Sequence, residues 1–204
     1  SLLLLMQACS LGDNTMDSYK NSPNFSPAEE VFQNEKAARS IKNNPNMSFS
    51  DSLKVMYDMF AKMKERAPHE KLPEVQPIMA DFIKPDKNLK FIWIGHSTFI
   101  VNLDGKIILF DPVFSDYAFT YDFFIKRFQS PAISLSEMPK IDYIVLSHNH
   151  YDHLDEKSMR FFKDKNIKFF IPLGVASDLI AWGIAKEDIT EFDWYQNIKI
   201  DSLE

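Results

Sequence analysis

Apolar and polar residues alternate in three short runs between residues 89 and 110, a period of two that is typical of half-buried strands. The runs predict strands at 90–94, 98–103 and 106–110. Asp104-Gly105, which separates the second run from the third, is a strong signal for a two-residue hairpin turn. The pattern therefore predicts an antiparallel start to a sheet.

Strands and helices alternate after this start. Residues 141–146 form a continuous apolar run, which predicts a buried strand that ends directly before a cluster of histidines. Asp155 is a predicted N-cap for a helix at 156–163. The remaining predicted elements are a strand at 167–171, a helix at 177–182 and strands at 189–192 and 198–200. An antiparallel start followed by this alternation predicts a layered α/β fold.

Helical patterns precede the sheet. Ser26-Pro27-Ala28-Glu29 combines an N-cap serine, a proline at the first helical position and a capping-box glutamate, and it predicts a helix that runs to about residue 42. Apolar residues at helical spacing between 53 and 63 predict a second helix after Ser50. We therefore divide the chain into a lipoprotein signal remnant and linker at 1–25, an N-terminal helical extension at 26–88 and a main domain at 89–204.

An apolar run and a small residue, from Leu2 to Ala8, directly precede Cys9 and resemble a bacterial lipobox. The run is too short to span a bilayer, and a polar, linker-like stretch follows at 12–24. This pattern predicts that Cys9 is lipidated and tethers a lipoprotein to a membrane of the bacterial cell envelope. The alternative interpretation is a buried N-terminal segment with an unreactive thiol.

The composition is that of a globular protein, because 45% of the 204 residues are hydrophobic and 14% are aromatic. The formal net charge of −6 provides no broad basic field, which argues against nucleic acid as a partner. Cys9 is the single cysteine, so neither an internal disulfide nor a cysteine-based zinc site is expected. A metal site must therefore use His, Asp and Glu.

Three histidines and an aspartate follow the predicted buried strand within six residues: His148, His150, Asp152 and His153. Residues two apart in an extended segment point to the same side, so His148 and His150 can chelate one ion, while Asp152 and His153 turn to a second position. Neutral imidazoles and a carboxylate suit zinc, with iron or manganese as alternatives. Two such ions sharing a hydroxide predict a hydrolase, in which Asp152 is a catalytic residue as well as a ligand.

Two further polar residues end or interrupt the predicted strands. Asp111 follows the strand at 106–110, and it either accepts the outer proton of a ligand histidine or serves as a turn residue before Pro112. His96 lies at the break between the first two strands, where it either faces the metal site or has a structural role. Both residues are candidates for the layer of side chains behind the metal ligands.

The segment from Ser147 to Asp155, Ser-His-Asn-His-Tyr-Asp-His-Leu-Asp, resembles the metal-binding motif of the metallo-β-lactamase superfamily. Four other segments are similar to the N-acylphosphatidylethanolamine-hydrolysing phospholipase D family and its bacterial relatives: residues 93–98, 110–115, 171–174 and 191–195. The similarity covers about residues 90–196. It implies an αβ/βα sandwich, of which this chain is the first half, with one zinc ion on His148 and His150 and another on Asp152 and His153.

The resemblance also implies a reaction, in which a metal-bound hydroxide cleaves N-acylated phosphatidylethanolamine into N-acylethanolamine and phosphatidic acid. The family places another histidine, a bridging aspartate and a last histidine beyond the point where this sequence ends, at Glu204. We therefore expect these 204 residues by themselves to be inactive.

An aromatic segment follows Asp111 and contains Lys126 and Arg127; it suits either contact with lipid or packing inside a long loop. Its rings belong to Phe114, Tyr117, Phe119, Tyr121, Phe123, Phe124 and Phe128. The leading hypothesis is a membrane-tethered zinc phosphodiesterase acting on a phospholipid. The alternatives are a lactonase-like hydrolase of a soluble substrate and a non-catalytic envelope lipoprotein.

Overall fold

The structure is a computed structural model that describes residues 17–28, 31–32, 49–61, 68–117 and 126–200. The chain divides into two compact units, residues 22–73 and the remainder. The predicted lipidation site, Cys9, lies outside the described residues, as does the part of the first predicted helix from 33 to 42. None of the described helices is long and apolar enough to cross a membrane.

The described residues of the unit at 22–73 form two short strands and one helix. Helix α1 (Phe49–Ala61) confirms the helix predicted after Ser50. The helix predicted from Ser26 is wrong at its start, because β1 (Phe25–Ser26) pairs with β2 (Val31–Phe32) in antiparallel fashion. The rings of Phe25 and Phe32 lie 5.3 Å apart edge to face, and such cross-strand aromatic pairs stabilise strands. Pro27 fits the connecting turn as well as it fits a helix start.

The second unit is built on a six-stranded sheet whose strand order follows the sequence. Its strands are β3 (Lys90–Gly95), β4 (Thr98–Leu103), β5 (Lys106–Phe110), β6 (Tyr143–Val145), β7 (Lys168–Pro172) and β8 (Ile189–Phe192). The first three are antiparallel neighbours, and β5 to β8 are parallel. The predicted strand at 198–200 is wrong: residues 193–199 form no strand and lie mostly exposed, while Ile200 forms a single β-bridge rather than part of a strand.

The hairpin between β4 and β5 has the predicted two-residue turn. Leu103 pairs with Lys106, which leaves Asp104 and Gly105 at the tip with φ values of 50° and 85°. Two left-handed residues are the requirement of a type I′ turn, and Asp-Gly is among its preferred sequences. A Cβ on Gly105 would also lie 3.1 Å from the Cγ of Pro85, so this position favours glycine twice over.

One hydrophobic cluster joins the sheet to three helices, α2 (Met79–Phe82), α3 (Glu156–Phe162) and α4 (Ala176–Ala181). The sheet contributes alternate side chains, including Ile100, Leu109, Ile144 and Phe169, and the helices contribute Phe82, Met159, Phe162 and Leu179. This alternation between buried and half-exposed positions is what the period of two predicted. The result is the mixed α/β fold expected from the sequence.

The pairing directions define two ends of the sheet. Strands β3 and β5 to β8 all finish at one end, where β4 begins, and we call this the site end. The opposite end, which contains the β4–β5 hairpin, is the far end. Polar residues that follow the carboxyl ends of parallel strands converge in such sheets, and ligands bind there.

Candidate metal centre

The histidine cluster forms a compact loop that follows β6 at the site end. The carbonyl of His150 accepts hydrogen bonds from the backbone N–H groups of His153 (2.8 Å) and Leu154 (2.7 Å), which turns the chain back on itself. His148 Nε2 and His150 Nδ1 lie 3.1 Å apart. Since zinc ligands sit about 2.0–2.1 Å from the ion, two ligands of one tetrahedral ion lie about 3.3 Å apart. This pair therefore has the spacing of two ligands to one metal.

A second group of donor atoms lies beside the first. His96 Nε2 is 3.0 Å from Asp152 Oδ2, and His153 Nε2 is 3.8 Å from the same oxygen. Ligand atoms of His96, Asp152 and His153 all lie within 4.8 Å of one another. The ring of His148 packs 4.0 Å from that of His153, so the two donor groups are adjacent. Imidazole nitrogens and a carboxylate oxygen at these distances fit a metal ion.

Asp111 lies next to the second donor group and hydrogen-bonds His153. The residue is only 7% exposed, and its Oδ2 accepts hydrogen bonds from His153 Nδ1 (2.9 Å) and from the hydroxyl of Ser147 (2.7 Å). Oδ1 accepts the backbone N–H of Ser147 at 2.7 Å. With Nδ1 of His153 committed to Asp111, Nε2 remains for a metal. Of the two interpretations of Asp111, the structure thus has the one in which it accepts the proton of a candidate ligand.

His96 reaches the cluster from a tight turn between β3 and β4. Its backbone is left-handed, with φ of 50°, and Trp93 Nε1 donates to its carbonyl at 2.9 Å. The next residue, Ser97, donates its hydroxyl to the carbonyl of Asp152 at 2.8 Å. The turn therefore bonds Asp152 twice: His96 bonds its carboxylate, and Ser97 bonds its backbone carbonyl. Of the two interpretations of His96, the structure agrees with the one in which its side chain faces the candidate metal site.

Two side chains of this arrangement were not predicted. Ser97 and Ser147 each donate a hydroxyl inside the cluster. Serines have no spacing requirement comparable to that of metal-ligand histidines, so the only signal in the sequence was their position beside His96 and His148.

The local charges favour the protonation states that bind metal. Burial lowers the pKa of His148, and the neighbouring His153 and His150 lower it further, which favours the neutral imidazole. Burial raises the pKa of Asp152, but the hydrogen bond from His96 and the nearby charges of His153 and His96 outweigh it, so that the pKa lies below its ordinary value. Asp152 is therefore a carboxylate at neutral pH.

Comparison with known proteins agrees with this arrangement. Residues 106–204 match the model of the beta-lactamase superfamily domain. This segment, just under half of the chain, is similar to that domain. It includes β5, the whole histidine loop and all later described elements. The matched segment therefore contains Asp111 and the four predicted ligands, whereas His96 lies before it.

The relatives include an uncharacterized protein of Mycobacterium tuberculosis, which is 32% identical over 152 residues, 73% of this chain and 40% of that protein. N-acyl-phosphatidylethanolamine-hydrolyzing phospholipase D 1 of Caenorhabditis elegans is 31% identical over 180 residues, 80% of this chain and 48% of that enzyme. The chain thus spans less than half the length of these relatives. A solved metallo hydrolase of the archaeon Ignicoccus hospitalis has a TM-score of 0.42 at 23% identity, over 56% of this chain and 44% of that one.

Proposed function

We propose that this protein is a two-zinc phosphodiesterase that hydrolyses N-acylated phosphatidylethanolamine at a bacterial membrane, to which a lipid on Cys9 tethers it. The observation that supports it most directly is the pair of adjacent donor groups at the site end. One consists of His148 and His150, whose ring nitrogens lie 3.1 Å apart, and the other contains Asp152 and His153.

Each donor group would hold one metal ion. Because the only cysteine is Cys9, the site rests on imidazole and carboxylate donors, a set that zinc, iron and manganese all accept. Bound zinc would act as a Lewis acid on a phosphoryl oxygen and would lower the pKa of a coordinated water. The protein's own side chains orient the donors: Asp111 holds the ring of His153, and His96 holds the carboxylate of Asp152.

The choice of a phosphodiester rests on relatives rather than on the geometry. The Caenorhabditis elegans enzyme, whose name states hydrolysis of N-acyl-phosphatidylethanolamine, is 31% identical over 80% of this chain. One surface feature agrees with a lipid substrate, because Phe128 and the nearby Lys126 are both exposed. Aromatic and basic side chains together suit the interface of a bilayer.

The proposal is tested by measuring metal content and substrate preference together. The full-length protein purified with zinc should contain about two ions per chain and should cleave N-acyl-phosphatidylethanolamine in vesicles, and Asp152→Ala in that protein should lose activity and at least one ion. Faster cleavage of a soluble lactone would favour the lactonase alternative. Metal without hydrolysis of either substrate would favour a binding lipoprotein.

The tether has a separate test, since it does not depend on catalysis. Wild-type protein expressed in a bacterium should sediment with membranes and incorporate labelled fatty acid. Cys9→Ala should do neither. A Cys9→Ala variant that still sediments with membranes would refute lipid anchoring at this residue.

A further inference from the structure

The chain that follows β5 is held in place by side chains from other parts of the molecule. We call residues 111–117 the post-β5 segment. At its start, the buried hydroxyl of Thr98 donates to the carbonyl of Asp111 at 2.8 Å and accepts the N–H of Val113 at 3.0 Å. This ties the segment to the first residue of β4, beside the turn that carries His96.

Asp155 ties the middle of the same segment to the histidine loop. The sequence predicts that Asp155 caps helix α3, yet its side chain forms no capping hydrogen bond with the helix backbone. The residue is buried, with 8% of its surface exposed. Its carboxylate instead accepts hydrogen bonds from the N–H groups of Phe114 and Ser115, both at 3.1 Å, and from the hydroxyls of Ser115 (2.7 Å) and Ser158 (2.5 Å). A carboxylate buried in this way is stable because it accepts several hydrogen bonds.

Arg127 holds the segment from the other side. Its Nη2 donates to the carbonyl of Val113 at 2.8 Å and its Nε to the carbonyl of Ser115 at 3.4 Å. The backbone N–H of Arg127 also donates to the carbonyl of Asp116 at 2.7 Å. Burial lowers the pKa of Arg127, and the negative charges of Asp155 and Asp116 oppose that shift. The guanidinium is thus a half-buried cation balanced by two carboxylates.

The third nitrogen of the guanidinium lies beside the His96 turn. Nη1 of Arg127 is 3.6 Å from the position that a Cβ on Gly95 would take. The two residues after Gly95 are His96 and Ser97, which bond the side chain and the backbone of Asp152. Arg127 therefore bonds the post-β5 segment, whose first residue Asp111 bonds His153, and lies beside the turn that bonds Asp152.

From these contacts we propose that Arg127 and Asp155 are positioning residues of the metal centre, specifically of the ion held by Asp152 and His153. They hold the post-β5 segment between the histidine loop and the turn at 95–97. Asp111, which bonds His153, and the turn, which bonds Asp152, therefore keep a fixed spacing. Neither side chain is a candidate ligand. The inference rests on the proposed metal site and does not depend on which ester the protein hydrolyses.

Arg127→Lys tests the proposal, because lysine keeps the charge but cannot donate in two directions from a planar fork. Loss of an outer hydrogen-bond partner weakens metal binding by about 10–100-fold. Arg127 lies one contact further from the ligands, so we expect the affinity for the zinc ion on Asp152 and His153, measured by competition with a chelator, to fall severalfold, up to about tenfold. The visible spectrum of the cobalt-substituted protein should change at this site, while the ion on His148 and His150 keeps its affinity.

A variant at the far end separates positioning from general stability. Asn102→Ala removes a buried amide that bonds Phe82, Lys84 and Gly105, far from the metal ligands. It should lower the melting temperature and leave both metal affinities unchanged. If Arg127→Lys lowered the melting temperature and also left the affinities and the cobalt spectrum unchanged, the positioning role would be overturned.

A milder change covers the case in which Arg127→Lys does not fold. Ser115→Ala deletes one hydroxyl that donates to Asp155 and leaves Arg127 intact, and we expect a smaller loss of affinity at the same ion. Unchanged affinity in Ser115→Ala would then count against the proposal. A full-length wild-type protein that binds two ions but cleaves no phosphodiester would refute the proposed reaction, and the positioning role would still be decided by these affinities.

Discussion

At the far end of the sheet the neutral amide of Asn102 is buried, whereas at the site end two carboxylates, Asp111 and Asp155, are buried. The amide is satisfied by its immediate surroundings: Nδ2 donates to the carbonyls of Phe82 and Lys84, and Oδ1 accepts the N–H of Gly105. The carboxylates need partners from several parts of the chain, since burying an unpaired charge costs far more than burying an amide.

This contrast separates residues that hold the fold from residues that serve the site. The hydrogen bonds of the Asn102 amide join the β4–β5 hairpin to the chain at Phe82 and Lys84, and this structural role is enough to account for the residue. Buried charges add little net stability, because their desolvation offsets their attraction. The site end nevertheless buries two, and one of them, Asp111, also has a left-handed backbone conformation, whereas the left-handed Asp104 at the far end is exposed. Strain and buried charge that recur together at one end of a sheet are typical of a functional site.

The largest expected effect is at the far end, for Asn102→Ala. The substitution leaves the N–H of Gly105 and two carbonyls without their partner, and each unsatisfied buried group costs about 1–3 kcal/mol. We expect the free energy of unfolding to fall by about 2–4 kcal/mol, as measured by urea denaturation. A loss below about 1 kcal/mol would mean that water replaces the amide, and the far end would then not be the stability anchor inferred here.

Asp111→Asn probes the site end with a matched shape. Asparagine tolerates the φ of 39° at this position, so the backbone can stay as it is. The amide cannot accept all three hydrogen bonds from Ser147 and His153, and the ring of His153 loses its charged partner. We expect metal affinity to fall by about 10–100-fold, which corresponds to about 1.4–2.7 kcal/mol.

The control for Asp111→Asn is the same substitution at the far end. Asp142 Oδ2 accepts the N–H of Ile107 at 2.9 Å, so Asp142→Asn also changes a carboxylate that bonds backbone beside a strand. Metal competition should show no change for this variant. Equal affinities for both variants would remove the distinction between the two ends.

The far end and the strands were largely predictable from sequence, because the signals there are local. The alternation in β4 and β5 and the Asp104-Gly105 turn depend on neighbouring residues, and the structure agrees with them. The histidine loop was predictable for the same reason, since its four candidate ligands lie within six residues. Local signals can also mislead. The capping pattern at Ser26 was overridden by a strand pair that brings Phe25 to Phe32.

The supports of the site could not be predicted in the same way. Asp155 bonds Ser115 across 40 residues, and Arg127 bonds Val113 across a segment with no periodic pattern. No spacing rule relates such partners, since they meet only after the strands have paired. Asp155 shows how an interpretation based on sequence neighbours fails. An aspartate before a helix is typical of a cap, but the carboxylate of Asp155 accepts hydrogen bonds from residues that are distant in sequence, such as Phe114, instead of from the helix backbone.

The smallest expected effect concerns another carboxylate near the site end, Asp178 in the first turn of α4. Burial raises its pKa above the ordinary value of 3.8, and its side chain bonds none of the described residues. A raised pKa in the folded state means that the ionised form favours unfolding. The stabilising, protonated form is fully populated below pH 3.8 and is lost as the pH rises through the raised value. Asp178→Asn should therefore stabilise the protein at pH 7.

Urea denaturation of wild type and Asp178→Asn between pH 3.5 and pH 7 measures this effect as a difference that grows with pH. The opposing force is the attraction of a negative charge to a helix N-terminus, which is about 0.3–1 kcal/mol. Helix α4 has only six residues, so we expect burial to outweigh that attraction. A variant less stable than wild type at pH 7 would reverse this order and would assign Asp178 to helix stabilisation. The charge of Asp178 would then stabilise the fold at the site end, just as the neutral amide of Asn102 stabilises it at the far end.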